Sequence, residues 1–138
     1  MREKWDCRMP DNFDMQGFLN AIVKQDAEKL RGFFAPGALI IWANTNEQFT
    51  VDEYIRANCE YPGEWSGSIE DWHIIADNNK RMVFIAKVWN AGGVSCRTVS
   101  FIEFSNTDDK LIQRLVEYWG DIEAPPQWRQ KMNIGIGG

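Results

Sequence analysis

The run Leu111–Arg129, LIQRLVEYWGDIEAPPQWR, decides how the rest of the chain is read. It opens with β-branched, aromatic and apolar side chains at Leu111, Ile112, Leu115, Val116, Tyr118 and Trp119, the composition of a strand. Gly120 breaks the pattern, and Ala124-Pro125-Pro126 stops further ladder pairing because proline has no N–H to donate. Strict alternation places Leu111, Gln113, Leu115, Glu117, Trp119 and Asp121 on one face and Ile112, Arg114, Val116 and Tyr118 on the other. The first face is mostly apolar and carries two carboxylates at one end. Once buried, it makes a greasy pocket with acids at its mouth.

Working back from that strand, Trp65–Ala76, Arg81–Asn90 and Val94–Ser105 also alternate with period two. The turns between them are short: Asp77-Asn78-Asn79-Lys80, Ala91-Gly92-Gly93 and Asn106-Thr107-Asp108-Asp109. Consecutive strands on short turns predict a four-stranded antiparallel meander. Met82, Phe84, Ala86 and Val88 fall on one face of their strand. Val83, Ile85 and Trp89 fall on the other and join Val99 and Phe101 from the next strand. That second surface is too apolar to stay wet, so a homodimer packed sheet to sheet is expected.

The N-terminal third has helical spacing instead. Phe18, Leu19, Ile22 and Val23, then Ala27, Leu30, Phe33 and Phe34, predict a helix over 11–34 in two pieces. Asp26 interrupts the stripe as a second N-cap over the N–H of Glu28 or Lys29, and Pro36-Gly37 is read as the stop. Ala38–Ala43 is a short apolar strand, and Gln48-Phe49 a strand remnant. Thr50-Val51-Asp52-Glu53 has the form of a capping box opening a third helix that carries Val51, Tyr54, Ile55 and Asn58. Helices first and a meander after them make an α+β domain.

The chain's 138 residues fit one domain spanning 1–138, with 44% hydrophobic content that excludes disorder. A net charge of −5 argues against nucleic acid and against anionic membrane surfaces. Cys7, Cys59 and Cys96 are widely spaced and form no C-x-x-C pair, so neither a disulfide framework nor a zinc site is written. With no apolar leader and no long apolar run, the expected location is the cytoplasm. No metal and no cofactor are called for by any motif.

Gln25-Asp26-Ala27-Glu28-Lys29-Leu30, followed by Phe33-Phe34-Ala35-Pro36-Gly37-Ala38, resembles the helix-kink-helix start of the nuclear transport factor 2-like superfamily. The meander ending in Lys110-Leu111-Ile112 and Glu117-Tyr118-Trp119 resembles its SnoaL-like branch, and the likeness runs from about Phe13 to Trp128. Tyr61-Pro62-Gly63-Glu64-Trp65 and Glu117–Arg129 are similar to runs of an uncharacterised bacterial subgroup. The resemblance implies a cystatin-like cone, N-terminal helices packed on a curved antiparallel sheet, with a pocket for a small, largely apolar molecule. It also implies that any chemistry is cofactor-independent acid/base work of isomerase, cyclase or dehydratase type, or else that the domain only binds or dimerises. Of the isomerase residue types, Asp121, Tyr54 or Tyr61, and Glu117 are present. The histidine pair of the dehydratases is not matched, since His73 is the sole histidine.

The candidate catalytic groups are therefore Glu117 and Asp121, each a general base if desolvated. The competing reading for Glu117 is an ion pair with Arg97 or Arg114; for Asp121 it is the cap of the following turn. Tyr54, Tyr61, Trp65, Trp119 and His73 are the candidate ligand contacts. The tyrosines and Trp65 flank the loop over the expected mouth. Trp128-Arg129, behind the double proline, is read as a latch on the subunit or its partner.

Overall fold

A computed structural model of the protein describes residues 13–75 and 80–135. Helix α1 (Met15–Val23) starts under Asp14, whose side chain accepts from the Gly17 N–H, and α2 (Ala27–Arg31) starts under Asp26, which accepts from Lys29 N. The third helix, α3 (Val51–Cys59), carries the capping box in full. Glu53 N–H donates to Thr50 Oγ1 at 3.2 Å, and Thr50 N–H donates to Glu53 Oε1 at 2.9 Å. The predicted start at Asp11 and the turn residues Asp77–Asn79 lie outside the described residues.

The strands β1 (Phe34–Trp42), β2 (Glu47–Phe49), β3 (Trp65–Ile74), β4 (Arg81–Asn90), β5 (Ser95–Phe104) and β6 (Ile112–Asp121) form one six-stranded sheet in the order β2-β1-β6-β5-β4-β3. The last four are the expected meander. The sheet is curved and unclosed, and β1 adds to it parallel to β6, with Trp42 opposite Glu117. A short helix, α4 (Gln127–Gln130), follows the double proline.

Pro36-Gly37 does not stop a helix. The helical run already ends at Arg31, and both residues sit inside β1. Between Phe34↔Ile112 and Leu39↔Arg114 the register of β1 shifts, and Gly37 takes φ +76 there. A residue without N–H and one free of Cβ strain are what an unpaired bulge tolerates.

The core lies between the helices and the concave face of the sheet. Phe18 of α1 is fully buried and packs edge-on against Phe33, Phe34 and Phe84. Gly67 of β3 lets α1 come close: a Cβ there would stand 3.1 Å from Val23 and 3.2 Å from Val88. The alternation in β4 is as expected, with Met82, Phe84 and Ala86 buried.

Alternation fails in β6 and β3, each time at a bulge. In β6, Gln113 is the extra residue between Glu103↔Arg114 and Phe104↔Ile112, so Ile112 and Leu115 are both fully buried. Ile112 therefore belongs to the inner face, contrary to strict period two. In β3 the extra residue is Glu70, between Ile69↔Ala86 and Asp71↔Ile85. Strict alternation from Trp65 puts His73 on the inner face; the bulge turns Trp72 inward and His73 outward.

The convex face of the sheet stays open. Phe101, Tyr118 and Ile75 are each more than two-fifths exposed there. Residues 122–135 are exposed throughout, and Trp128 is largely exposed, with the Arg129 guanidinium 5.0 Å from its ring. No helix among the described residues is long and apolar enough to cross a membrane.

Candidate functional site

A cavity of about 150 Å³ opens between α1, the end of α3 and the concave sheet, with Glu117 in its wall. Sheet register builds the polar end. Across four strands, Phe84, Ser100, Glu117 and Trp42 are direct neighbours. Their side chains share the concave face, so β1 and β5 each hand one group to Glu117. The Trp42 indole N–H donates to Glu117 Oε1 at 3.1 Å, and the Ser100 hydroxyl donates to Oε2 at 3.0 Å.

Among the described residues no cation joins them. Arg97, the candidate ion-pair partner, lies on the convex face and donates to Glu70 at 2.8 Å. Glu117 is half-buried as a residue because the cavity reaches it, yet protein packs round its carboxylate. Desolvation pushes its pKa above the ordinary carboxylate value, outweighing the lowering by the Trp42 and Ser100 hydrogen bonds.

Trp42 is held in turn by three rings. Phe49, Tyr54 and Trp119 meet it edge-on at 5.0, 6.1 and 5.7 Å. Asn44 fixes the Trp119 backbone from the turn after β1, donating to its carbonyl at 2.7 Å and accepting from its N–H at 3.1 Å. The mouth is the loop Tyr61–Trp65. The Trp65 indole N–H donates to Pro62 O at 2.9 Å, and its ring meets that of Tyr61 at 5.9 Å. Gly63 makes this possible, with φ +106 and a hypothetical Cβ only 3.0 Å from Trp65 Nε1.

Gln25 ties the loop to the helices. It occupies the left-handed region at φ 56, between α1 and α2, and its amide N–H groups donate to Asn58 O at 2.9 Å and Tyr61 O at 2.6 Å. Asn58 in turn donates from its side chain to Ile22 O at 3.0 Å. Both amides line the cavity.

Of the expected ligand contacts, Tyr61, Trp65 and Trp119 line this cavity. Tyr54 sits behind it, fully buried in the core. Its hydroxyl has no hydrogen-bond partner among the described residues, and burial, then the charge of Glu117, raise its pKa well above the phenol's usual value. Outside the cavity on the convex face, His73 Nε2 lies 3.2 Å from Asp71. Asp121 is exposed at the strand end opposite Cys96, and it is Cys96 that faces the cavity. Burial, with the charge of Asp121, pushes the Cys96 thiol up. Trp42, Ser100, Gln25 and Asn58 were not singled out from the sequence. Trp42 and Ser100 sit in ordinary strand patterns and only the register reveals them; Gln25, between α1 and α2, and Asn58, on α3, are revealed by their tertiary hydrogen bonds. Among the described residues no group of three or more His, Cys, Asp and Glu side chains could hold a metal ion.

No family model and no curated protein matches the sequence. Solved structures do match the fold. A proposed ketosteroid isomerase from Kribbella flavida DSM 17836 superposes with TM-score 0.68 at 20% identity, over 88% of this chain and 85% of that one. An NTF-2 like protein of unknown function from Burkholderia xenovorans LB400 gives TM-score 0.68 at 16% identity, over 89% and 92%. A proposed SnoaL-like polyketide cyclase from Shewanella putrefaciens CN-32 gives 0.59 at 13%, over 74% of each chain. The six-stranded curved sheet, the helices in its concavity and these likenesses agree: the chain has the nuclear transport factor 2-like fold.

Proposed function

We propose that the protein binds a small, largely apolar molecule in this cavity and that Glu117 is its acid/base group, acting without a cofactor. The observation that carries this is a desolvated carboxylate held by two neutral donors at a cavity wall, with no basic side chain among the described residues bonded to it. A carboxylate kept at a cost to the fold, with its pKa raised, is what proton transfer near neutral pH requires. The names of the fold neighbours, a proposed ketosteroid isomerase and a proposed cyclase, support the same class of chemistry.

The hydrogen bonds support one oxygen as the proton carrier. An indole N–H can only donate, so Oε1 must remain an acceptor. The Ser100 hydroxyl can turn round, donating to an ionised Oε2 and accepting from a protonated one. The Ser100 pairing favours Oε2 as the oxygen that takes and releases the proton, with Ser100 following the charge. A cavity of about 150 Å³ holds roughly one benzene-sized ring, so the reacting molecule is monocyclic or enters by one ring.

The test is α-hydrogen exchange of monocyclic ketones and enones in D2O, followed by NMR. The parent is expected to accelerate exchange, and Glu117→Gln to lose at least about 100-fold of that acceleration. Equal rates in parent and variant refute the role of Glu117. Binding without any exchange would leave a pure binding domain. For the convex face, the proposed occupant is a second copy. Across β4, β5 and β6 the row Arg81, Glu103, Arg114 sets one acid between two bases beside Phe101 and Tyr118. With a two-fold axis set between Glu103 and Arg114, the Glu103 of each copy meets the Arg114 of the other.

A further inference from the structure

The polar groups that line the cavity are not balanced between donors and acceptors. The indole N–H of Trp42 is spent on Glu117, and that of Trp65 on Pro62 O. The Gln25 amide gives its N–H groups to Asn58 O and Tyr61 O, and the Asn58 amide donates to Ile22 O. The Ser100 hydroxyl hydrogen goes to Glu117. What these residues leave over is acceptors: the amide oxygens of Gln25 and Asn58, and the remaining lone pairs of the Glu117 carboxylate.

Thr98 and Tyr61 contribute hydroxyls that accept as readily as they donate. The Trp119 indole lines the cavity with no hydrogen-bond partner among the described residues, and the Cys96 thiol donates only weakly. Lys24 lies near the mouth, but its ammonium is turned onto the Trp65 carbonyl at 3.2 Å. The walls are aromatic faces and edges, from Trp42, Trp65, Trp119 and Phe84.

We propose that the cavity takes a small amine in its protonated form, with a one-ring or short alkyl body against the tryptophans and its ammonium on Glu117. The ammonium brings what the site lacks, a positive charge beside a carboxylate that is bonded, among the described residues, only to neutral groups. Indole faces attract cations, and a net charge of −5 draws them toward the protein from solution. This deepens the binding half of the reading above and does not depend on turnover.

Four probes of nearly equal size decide it: benzylamine, benzonitrile, toluene and benzoate, titrated into the full chain by calorimetry at pH 7. The expected order is benzylamine at least tenfold tighter than benzonitrile and toluene, with benzoate undetectable. Glu117→Gln should abolish the benzylamine preference and leave toluene within about threefold. Benzonitrile or toluene binding as tightly as benzylamine, or benzoate binding at all, overturns the amine while the cavity stands as a binding site. If no probe binds, toluene included, the binding reading falls and the amine with it. The comparison among probes on the parent protein decides the matter even if the variant fails to fold.

Discussion

Replacing Glu117 by glutamine should make the protein more stable near pH 8 and leave it almost unchanged near pH 4. Glutamine keeps the shape and both hydrogen bonds: its oxygen accepts from Trp42 at the Oε1 position, and its amide donates to Ser100. What changes is the charge. The folded carboxyl has its pKa raised above 4.5, with desolvation the largest cause. Between the unfolded and folded values the folded protein holds a proton that the unfolded chain has released, so parent stability falls as pH rises through that window. Above the folded value the loss is complete and stays constant. The slope is about 1.4 kcal/mol per pH unit inside the window, or roughly 5 °C in Tm for a domain of this size. Below the unfolded value both proteins are neutral at this position, and their stabilities should agree within about 1 kcal/mol, the common size of a single-site effect. The assay is thermal and urea unfolding of both proteins from pH 4 to pH 8. A glutamine variant that is less stable than the parent by about 3–5 kcal/mol at neutral pH would refute the reasoning, because that is the cost of stranding a buried cation.

Four other outcomes follow from the same contacts. Tyr54→Phe removes a buried hydroxyl that has no hydrogen-bond partner among the described residues, so urea unfolding should show stability unchanged or raised by up to about 1 kcal/mol; a loss of more than that would mean the hydroxyl is bonded. Thr50→Ala breaks the capping box of α3 and should cost about 1 kcal/mol in the same assay. Gly67→Ala places a methyl 3.1 Å from Val23 and 3.2 Å from Val88, which should cost about 1–3 kcal/mol by overpacking; a neutral result would mean α1 does not sit so close to the sheet. Phe101→Lys puts a charge in the middle of the open convex face, and sedimentation should show a dimer for the parent and a monomer for the variant.

The fold was largely legible because period-two alternation survives in β4 and β5, and the capping signals at Asp26 and Thr50 are local chemistry. Glu117 was legible for a related reason. Its neighbours Leu115 and Trp119 pull the strand face inward, and a carboxylate between them must follow. His73 and Ile112 show where the pattern stops being readable. One extra residue at Glu70 or Gln113 reverses the faces beyond it, and nothing in the side chains there announces a bulge. Pro36-Gly37 has the composition of a stop, but it serves equally well in a bulged strand. Trp42 and Ser100 could not be named from the sequence because their role depends on the pairing of β1 and β5 with β6, and the parallel contact joins residues 75 positions apart. Tyr54 was read as a ligand contact from its place near the loop; helical periodicity turns it into the core instead, edge-on to Phe34 and Trp42.

The central claim is that Glu117 is a desolvated carboxyl at a ligand cavity, held by Trp42 and Ser100 and, among the described residues, by no cation. The most direct measurement is its own titration, read from the side-chain carboxyl carbon by 13C NMR and assigned by comparison with Glu117→Gln. The account predicts a midpoint above the ordinary 4.5, and a further shift when a one-ring ligand fills the cavity. A midpoint at or below 4.5, unmoved by any ligand, would mean the carboxylate is solvated or cation-paired, and would contradict the account.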